Sequence, residues 1–237
     1  MTRRLMMVRM ILVWALALLT GQAALAQSCA IPPSLPAAQP EAIPAGQSRT
    51  GEVTGHILAL SWSPQFCRTH SGERFDTQCG AQKFGFILHG LWPDGQGRAS
   101  PQYCKPVGAI PATVVRQSFC ATPSVDLQSH EWAKHGSCIT TDAATYFRVG
   151  TSLFNAVKIP DMDGLSRARP SVGAFVTALV AANPGLRADM FSIDTGKGGW
   201  LQEVRLCLDK TYHPRRCPSD LRGANPRSAL KIWRNVK

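Results

Sequence analysis

The chain has 237 residues and a mass of 25.7 kDa, with 44% hydrophobic and 17% charged residues. That is enough to bury a core, and it excludes a disordered chain and a multi-pass membrane protein. Twenty-six Lys and Arg against fifteen Asp and Glu give a net charge of +11, which favours a polyanionic partner such as nucleic acid or an anionic membrane surface.

Residues 1–26 have the pattern of a secretory signal. Arg3, Arg4 and Arg9 precede an apolar run over residues 10–19, and Ala24-Leu25-Ala26 offers a small-x-small cleavage site before Gln27. The run is too short for a transmembrane helix, so an uncleaved anchor is the weaker alternative. Cleavage removes three Arg and no acid, so the mature charge is 11 minus 3, or +8. The eight cysteines (Cys29, Cys67, Cys79, Cys104, Cys120, Cys138, Cys207, Cys217) all follow this site, and an even number in an exported chain points to disulfides. Zinc is disfavoured because no CxxC pair occurs.

Residues 27–50 form a Pro- and Ala-rich arm without apolar periodicity, and a folded domain is expected over residues 51–237. Ile57, Leu58, Leu60 and Trp62 predict a strand over 55–62, stopped by Ser63-Pro64. Alternation predicts a second strand over 84–89, with Phe84, Phe86 and Leu88 on one face and His89 on the other, ended by Gly90 and Pro93. Tyr146, Phe147, Val149, Gly150, Leu153, Phe154 and Val157 predict an amphipathic helix over 143–159. A second helix over 171–182 is closed by Asn183-Pro184-Gly185, and Val204, Leu206 and Leu208 share one face of a strand over 200–208. Helices and strands alternate without a βαβ rhythm, so the class is α+β.

Three of the six histidines fall in FILHGLWPD, which carries His89, and HEWAKHGSC, residues 130–138. In a helix running to a Gly136 cap, His130, Glu131, Lys134 and His135 share one face. Two imidazoles, an ammonium and a carboxylate suit a phosphate and a proton transfer better than a solvated surface. A metalloprotease helix spaces its histidines four apart, whereas these are five apart and diverge, so no metal is expected.

The ordered pair HGLWPD and HEWAKHGSC closely resembles the two signature segments of the ribonuclease T2 family. LALSWSPQFC and LQEVRLCLD are similar to the family's early and late strands, so the resemblance spans roughly residues 55–217. It implies a central antiparallel sheet flanked by helices, and metal-independent cleavage of single-stranded RNA through a 2′,3′-cyclic phosphate by a monomer. It further implies His89 as general acid on the 5′ oxygen, His135 as general base on the 2′ hydroxyl, and Glu131 and Lys134 as stabilisers of the transition state. His130 becomes an auxiliary phosphate-binding residue, and Trp92, Asp94 and Tyr103 a base pocket. The resemblance also suggests the pairs Cys104–Cys138, Cys207–Cys217 and Cys67–Cys79. It leaves Cys29 and Cys120 as a pair outside the family's pattern, with Cys67–Cys120 open as an alternative. The exported enzyme would be periplasmic or extracellular and free of membrane.

Two other classes compete. A non-enzymatic basic protein would use its charge to hold RNA, with Arg215, Arg216, Arg222, Arg227 and Arg234 as a backbone-tracking run, although a solvated tail suits that run better. An exported metallohydrolase would lose activity to EDTA.

Overall fold

A computed structural model describes residues 29–95, 100–221 and 223–234. The leader at 1–26, and Arg222 of the C-terminal run, lie outside them. In chain order the elements are β1 (Gly55–Trp62), α1 (Ser63–Thr69), α2 (Asp76–Cys79), β2 (Phe86–Asp94), α3 (Ala112–Ser118) and α4 (Val125–Glu131). A π-helical turn (Trp132–Gly136) follows, then α5 (Ser137–Ile139), α6 (Ala143–Ala156), α7 (Met162–Ala168), α8 (Val172–Ala182), β3 (Phe191–Gly196) and β4 (Trp200–Leu208). The strands form an antiparallel sheet in the order β2-β1-β4-β3. The fold is therefore α+β with a central antiparallel sheet flanked by helices.

Alternation divides the sheet into two faces with different tasks. Leu58, Leu60, Trp62, Phe86, Leu88, Val204, Leu206 and Leu208 join one core with Phe147 of α6 and Phe175 and Leu179 of α8. Ser61 and Glu203 are cross-strand partners, and their out-of-phase positions place them on the opposite face. Pro64 sits in the first turn of α1, a helix not predicted from sequence, whereas Ser171 as N-cap of α8, accepting from Ala174 N–H at 3.1 Å, starts that helix where sequence places it. α6 ends at Ala156, short of 159, ahead of Pro160.

β2 departs most from expectation. It begins at Phe86 and continues through Gly90 and Pro93 to Asp94. Pro93 is tolerated because β2 is an edge strand, where a missing N–H need not break a ladder. Its pairing with β1 jumps from Leu60↔Leu88 to Ala59↔Gly90, which leaves His89 as the extra residue of a β-bulge. The bulge shifts the phase by one, so Leu91 rejoins the core while Trp92 comes to the same face as His89. Leu88 at the exposed edge bonds Ala121 O through its N–H (2.8 Å) and accepts Thr122 Oγ1 at its carbonyl (2.8 Å).

All eight cysteines are paired, as Cys29–Cys120, Cys67–Cys79, Cys104–Cys138 and Cys207–Cys217. The described part of the arm is docked rather than free, with Ala38 buried in the core. The segment that carries the described C-terminal arginines is partly packed, while Arg216 and Arg227 remain exposed. Leu230 and Ile232 are core residues, while Arg215 pairs with Asp94, Arg216 with Asp189 and Arg234 with Asp163.

Candidate active site

The segment 125–139 runs alongside β2 and supplies the second group of side chains. Ser124 caps α4 by accepting Leu127 N–H at 3.2 Å. Gly136 is not a cap, since its backbone stays helical and the chain continues into α5. Between them the backbone widens into the π-helical turn, with Ser137 N–H bonded to Trp132 O. A turn closed over five residues reduces the divergence of His130 and His135 that an α-helix imposes. The glycines are steric requirements: a Cβ at Gly136 would strike the Trp132 ring, and one at Gly90 would strike the Glu131 carboxylate and lie 2.8 Å from Trp92 Nε1.

Glu131 is only 2% exposed, yet its carboxylate is partnered. Oε2 accepts the Trp92 indole N–H at 2.8 Å, and Oε1 lies 3.5 Å from His89 Nε2. Burial raises its pKa above the ordinary carboxylate range, against the opposing pull of His89, His130 and Lys134. The other ring nitrogen of His89, Nδ1, lies 2.6 Å from Glu203 Oε2 and 3.0 Å from Ser61 Oγ. An ionised carboxylate only accepts, so Nδ1 carries the hydrogen and Nε2 faces Glu131. Ser61 donates its own proton to Glu203 (3.3 Å), and Arg205 Nε donates to the remaining Glu203 oxygen at 2.7 Å.

The two principal histidines are driven in opposite directions. Burial pulls the His89 imidazole down, but the hydrogen bond to Glu203 and the charges of Glu131 and Glu203 outweigh it and hold His89 above its ordinary value. His135 is pushed well below that value, first by burial and then by the cations Lys134, His130, His89 and Arg49. Its Nδ1 is buried with no hydrogen-bond partner, and its ring stacks on Trp92 with centroids 5.4 Å apart. The opposite ring contact of Trp92 is with His89, edge-on at 5.1 Å. Glu203 is held below the ordinary carboxylate value: burial is the largest influence and raises it, but His89 and Arg205 together prevail.

The structure thus brings His89, Glu131, His135 and Trp92 into contact, with Lys134 close enough for its charge to bear on both histidines. His130 stands apart on the arm side, Nδ1 3.0 Å from both oxygens of Glu41. Asp94 and Tyr103 do not join Trp92. Asp94 accepts Arg215 NH2 at 2.6 Å at the far end of β2, and the buried Tyr103, at φ 47°, donates its hydroxyl to Glu41 at 2.7 Å. Trp92 instead lines a cavity of about 650 Å³ with His89, Glu203, Arg205 and Trp200.

Sequence reasoning passed over Glu203, Ser61 and Glu41. For Glu203 a signal exists: with Arg205 it places two charges in one phase of a strand whose other phase is Val204, Leu206 and Leu208. Among the described residues no group of three or more His, Cys, Asp or Glu is placed to hold a metal ion.

These features define a disulfide-bonded α+β class in which an imidazole of the sheet and one of the adjoining π-helical turn, their pKa values moved in opposite directions, both contact one tryptophan. A sequence model of the ribonuclease T2 family matches residues 54–217, and the chain belongs to that family. A probable ribonuclease of Haemophilus influenzae is 37% identical over 187 residues, covering 73% of this chain and 64% of that protein. A ribonuclease of Aeromonas hydrophila is 31% identical over 171 residues, covering 69% and 75% respectively. In structure the chain resembles an RNase-related protein from Calystegia sepium (TM-score 0.60, 21% identity, 78% of this chain and 100% of that one). It also resembles a variant of RNase MC1 in complex with 5′-GMP (TM-score 0.51, 25% identity, 70% and 95%).

Proposed function

We propose that this chain is an endoribonuclease that cleaves single-stranded RNA by metal-independent transesterification, through a 2′,3′-cyclic phosphate to a 3′-phosphate. The observation that carries the reading is the opposed environment of the two histidines. His135, neutral because it is buried among cations, takes the proton from the 2′ hydroxyl, whose oxygen then attacks phosphorus. His89, charged because Glu203 holds Nδ1–H, gives its Nε2 proton to the departing 5′ oxygen. Lys134 stabilises the charge that builds on the phosphoryl oxygens, Glu131 joins it as a hydrogen-bond donor when protonated, the form its burial favours, and His130 holds a phosphate. The nucleophile belongs to the substrate, so positioning replaces an external attacker, and DNA, lacking that hydroxyl, does not react.

Trp92, which lines the cavity of about 650 Å³, is the group on which a base stacks; Asp94, bonded to Arg215, and Tyr103, bonded to Glu41, lie outside that lining. The chain acts as a monomer. The presence of both His89 and His135 disfavours the non-catalytic basic binder. Residues 1–26 direct export to the periplasm or beyond, a reading supported by the four disulfides. No helix among the described residues is long and apolar enough to cross a membrane.

The test is incubation of the purified protein with RNA and with DNA in EDTA, followed by end-group analysis. Cyclic and 3′ phosphates from RNA alone are expected. His135→Ala should lower turnover by about 10²–10⁴. Collapse of wild-type activity in EDTA, or 5′-phosphate ends, contradicts the mechanism.

A further inference from the structure

We propose that Glu41, carried into the site by the segment 29–50, is a positioning residue for His130: it holds Nδ1 as the donor so that Nε2 is the nitrogen offered to a substrate phosphate. The inference rests on the reading of His130 as a phosphate ligand. It reaches past the family match, which begins at residue 54, because segment 29–50 lies wholly outside it.

The segment is anchored on both sides of Glu41. On the N-terminal side are the Cys29–Cys120 disulfide, a reciprocal pair between Ala30 and the Gln82 side chain (2.9 and 2.7 Å) and the bond from Arg116 NH1 to Pro32 O (3.0 Å). On the C-terminal side Ser48 Oγ donates to Tyr103 O at 2.9 Å, and Arg49 and Gln102 exchange backbone bonds of 2.8 and 2.9 Å. Between these anchors the chain delivers one carboxylate. Both of its oxygens lie 3.0 Å from His130 Nδ1, and one also accepts the Tyr103 hydroxyl, itself fixed in a buried position. A carboxylate with both oxygens on one ring nitrogen makes that nitrogen the donor. Gln39, Pro40 and Glu41 line a cavity of about 530 Å³ with His89 and His130, so the arm also walls the space a substrate enters.

The arrangement repeats a pattern within the site. His89, assigned the role of acid, and His130, assigned that of phosphate ligand, each present Nδ1 to a carboxylate, Glu203 and Glu41. His135, assigned the role of base, has no partner at Nδ1. A carboxylate acting instead as a plug would occupy the nitrogen a phosphate needs; Glu41 takes Nδ1 alone.

The experiment compares full-length oxidised protein carrying Glu41→Gln, His130→Ala, or both. The Gln variant keeps an oxygen for the Tyr103 hydroxyl while losing the charge. Two readouts are taken: affinity for inorganic phosphate, by ³¹P titration, and the split of KM from kcat on RNA. Glu41→Gln should weaken phosphate binding about tenfold, the low end for a half-exposed charged hydrogen bond. KM should rise in proportion with kcat nearly unchanged, and neither effect should persist in the His130→Ala background. Paired Cys29→Ser and Cys120→Ser changes, which release the arm without touching Glu41, should act in the same direction. Unchanged phosphate binding, an equal loss in the His130→Ala background, or tighter binding in Glu41→Gln would each overturn the proposal, the last by revealing a plug. An inactive wild type would instead count against the ribonuclease reading, and phosphate titration still reports on Glu41 in that case.

Discussion

Glu203→Gln is the sharpest probe of the His89 arrangement, because it preserves volume while removing one charge from a site that is 5% exposed. Three bonds are affected: the 2.6 Å contact to His89 Nδ1, the 3.3 Å bond from Ser61 Oγ, and the 2.7 Å contact from Arg205, which keeps Asp194 at 3.3 Å as its other partner. Hydrogen bonds to charged groups contribute about 1.5–3 kcal/mol. The His89 side chain is 32% exposed, and screening there reduces the expected loss to about 1.5–2 kcal/mol. The pH dependence follows from the direction of each shift. His89 is raised in the folded chain, so its contribution is complete below about pH 6.5 and fades as pH rises through the folded value. Glu203 is lowered, so its contribution is complete above about pH 4.5 and fades as pH falls through its folded value. The stability gap between wild type and variant should therefore be widest near pH 5–6.5 and narrow by pH 8.5, measured by urea unfolding with disulfides intact. The rate profile should respond on one side only. Its alkaline limb, set by the acid His89, should move towards pH 6.5, costing about tenfold per unit above the limb. Its acid limb, set by the depressed His135, should stay below pH 6.5. A stability loss equal at both pH values together with an unmoved alkaline limb would refute the assignment of Glu203 as the group that keeps His89 charged.

Two further outcomes test the scaffold. Gly90→Ala places a methyl against the Glu131 carboxylate and Trp92 Nε1, and should cost about 1–3 kcal/mol and reduce turnover; denaturation and rate measurements that match wild type would show that the bulge yields freely. Replacing Cys104 and Cys138 by Ser opens a link between positions 34 apart, with an expected loss of about 4 kcal/mol by chain entropy, read as a fall in Tm.

What sequence made legible was set by local rules. β1 and β4 begin and end at the predicted residues because alternation, Ser63-Pro64 and the apolar phase of 204, 206 and 208 are written in the segments themselves. The bulge at His89 is different in kind. It exists only in the register against β1, and FILHGLWPD contains no trace of where a partner strand slips. Gly90 and Pro93 were misleading for the same reason, since both break strands in general and neither breaks an edge strand whose neighbour accommodates it. Gly136 carries the sign of a helix end, but it is required by the closeness of the Trp132 ring. Glu203 and Glu41 lie 114 and 89 residues from the histidines they serve. No spacing rule reaches across such separations. The family resemblance led to the histidines, whereas their carboxylate partners emerge only from the fold.

The order of the half-cystines along the chain bears on how the molecule is made. Were each thiol joined to the next one to arrive, Cys29 would bond Cys67, Cys79 would bond Cys104 and Cys120 would bond Cys138; only Cys207–Cys217 would agree with the native set. The native link from Cys29 to Cys120 spans 91 positions and encloses both halves of the Cys67–Cys79 bond and one half of Cys104–Cys138. Oxidation alone, acting in order of synthesis, thus traps the wrong partners, and maturation depends on thiolate attack that reshuffles them. Refolding of the reduced chain is accordingly expected to be limited by exchange, on a scale of seconds to hours, and to give a higher yield of native disulfides with an isomerising thiol than with an oxidant alone.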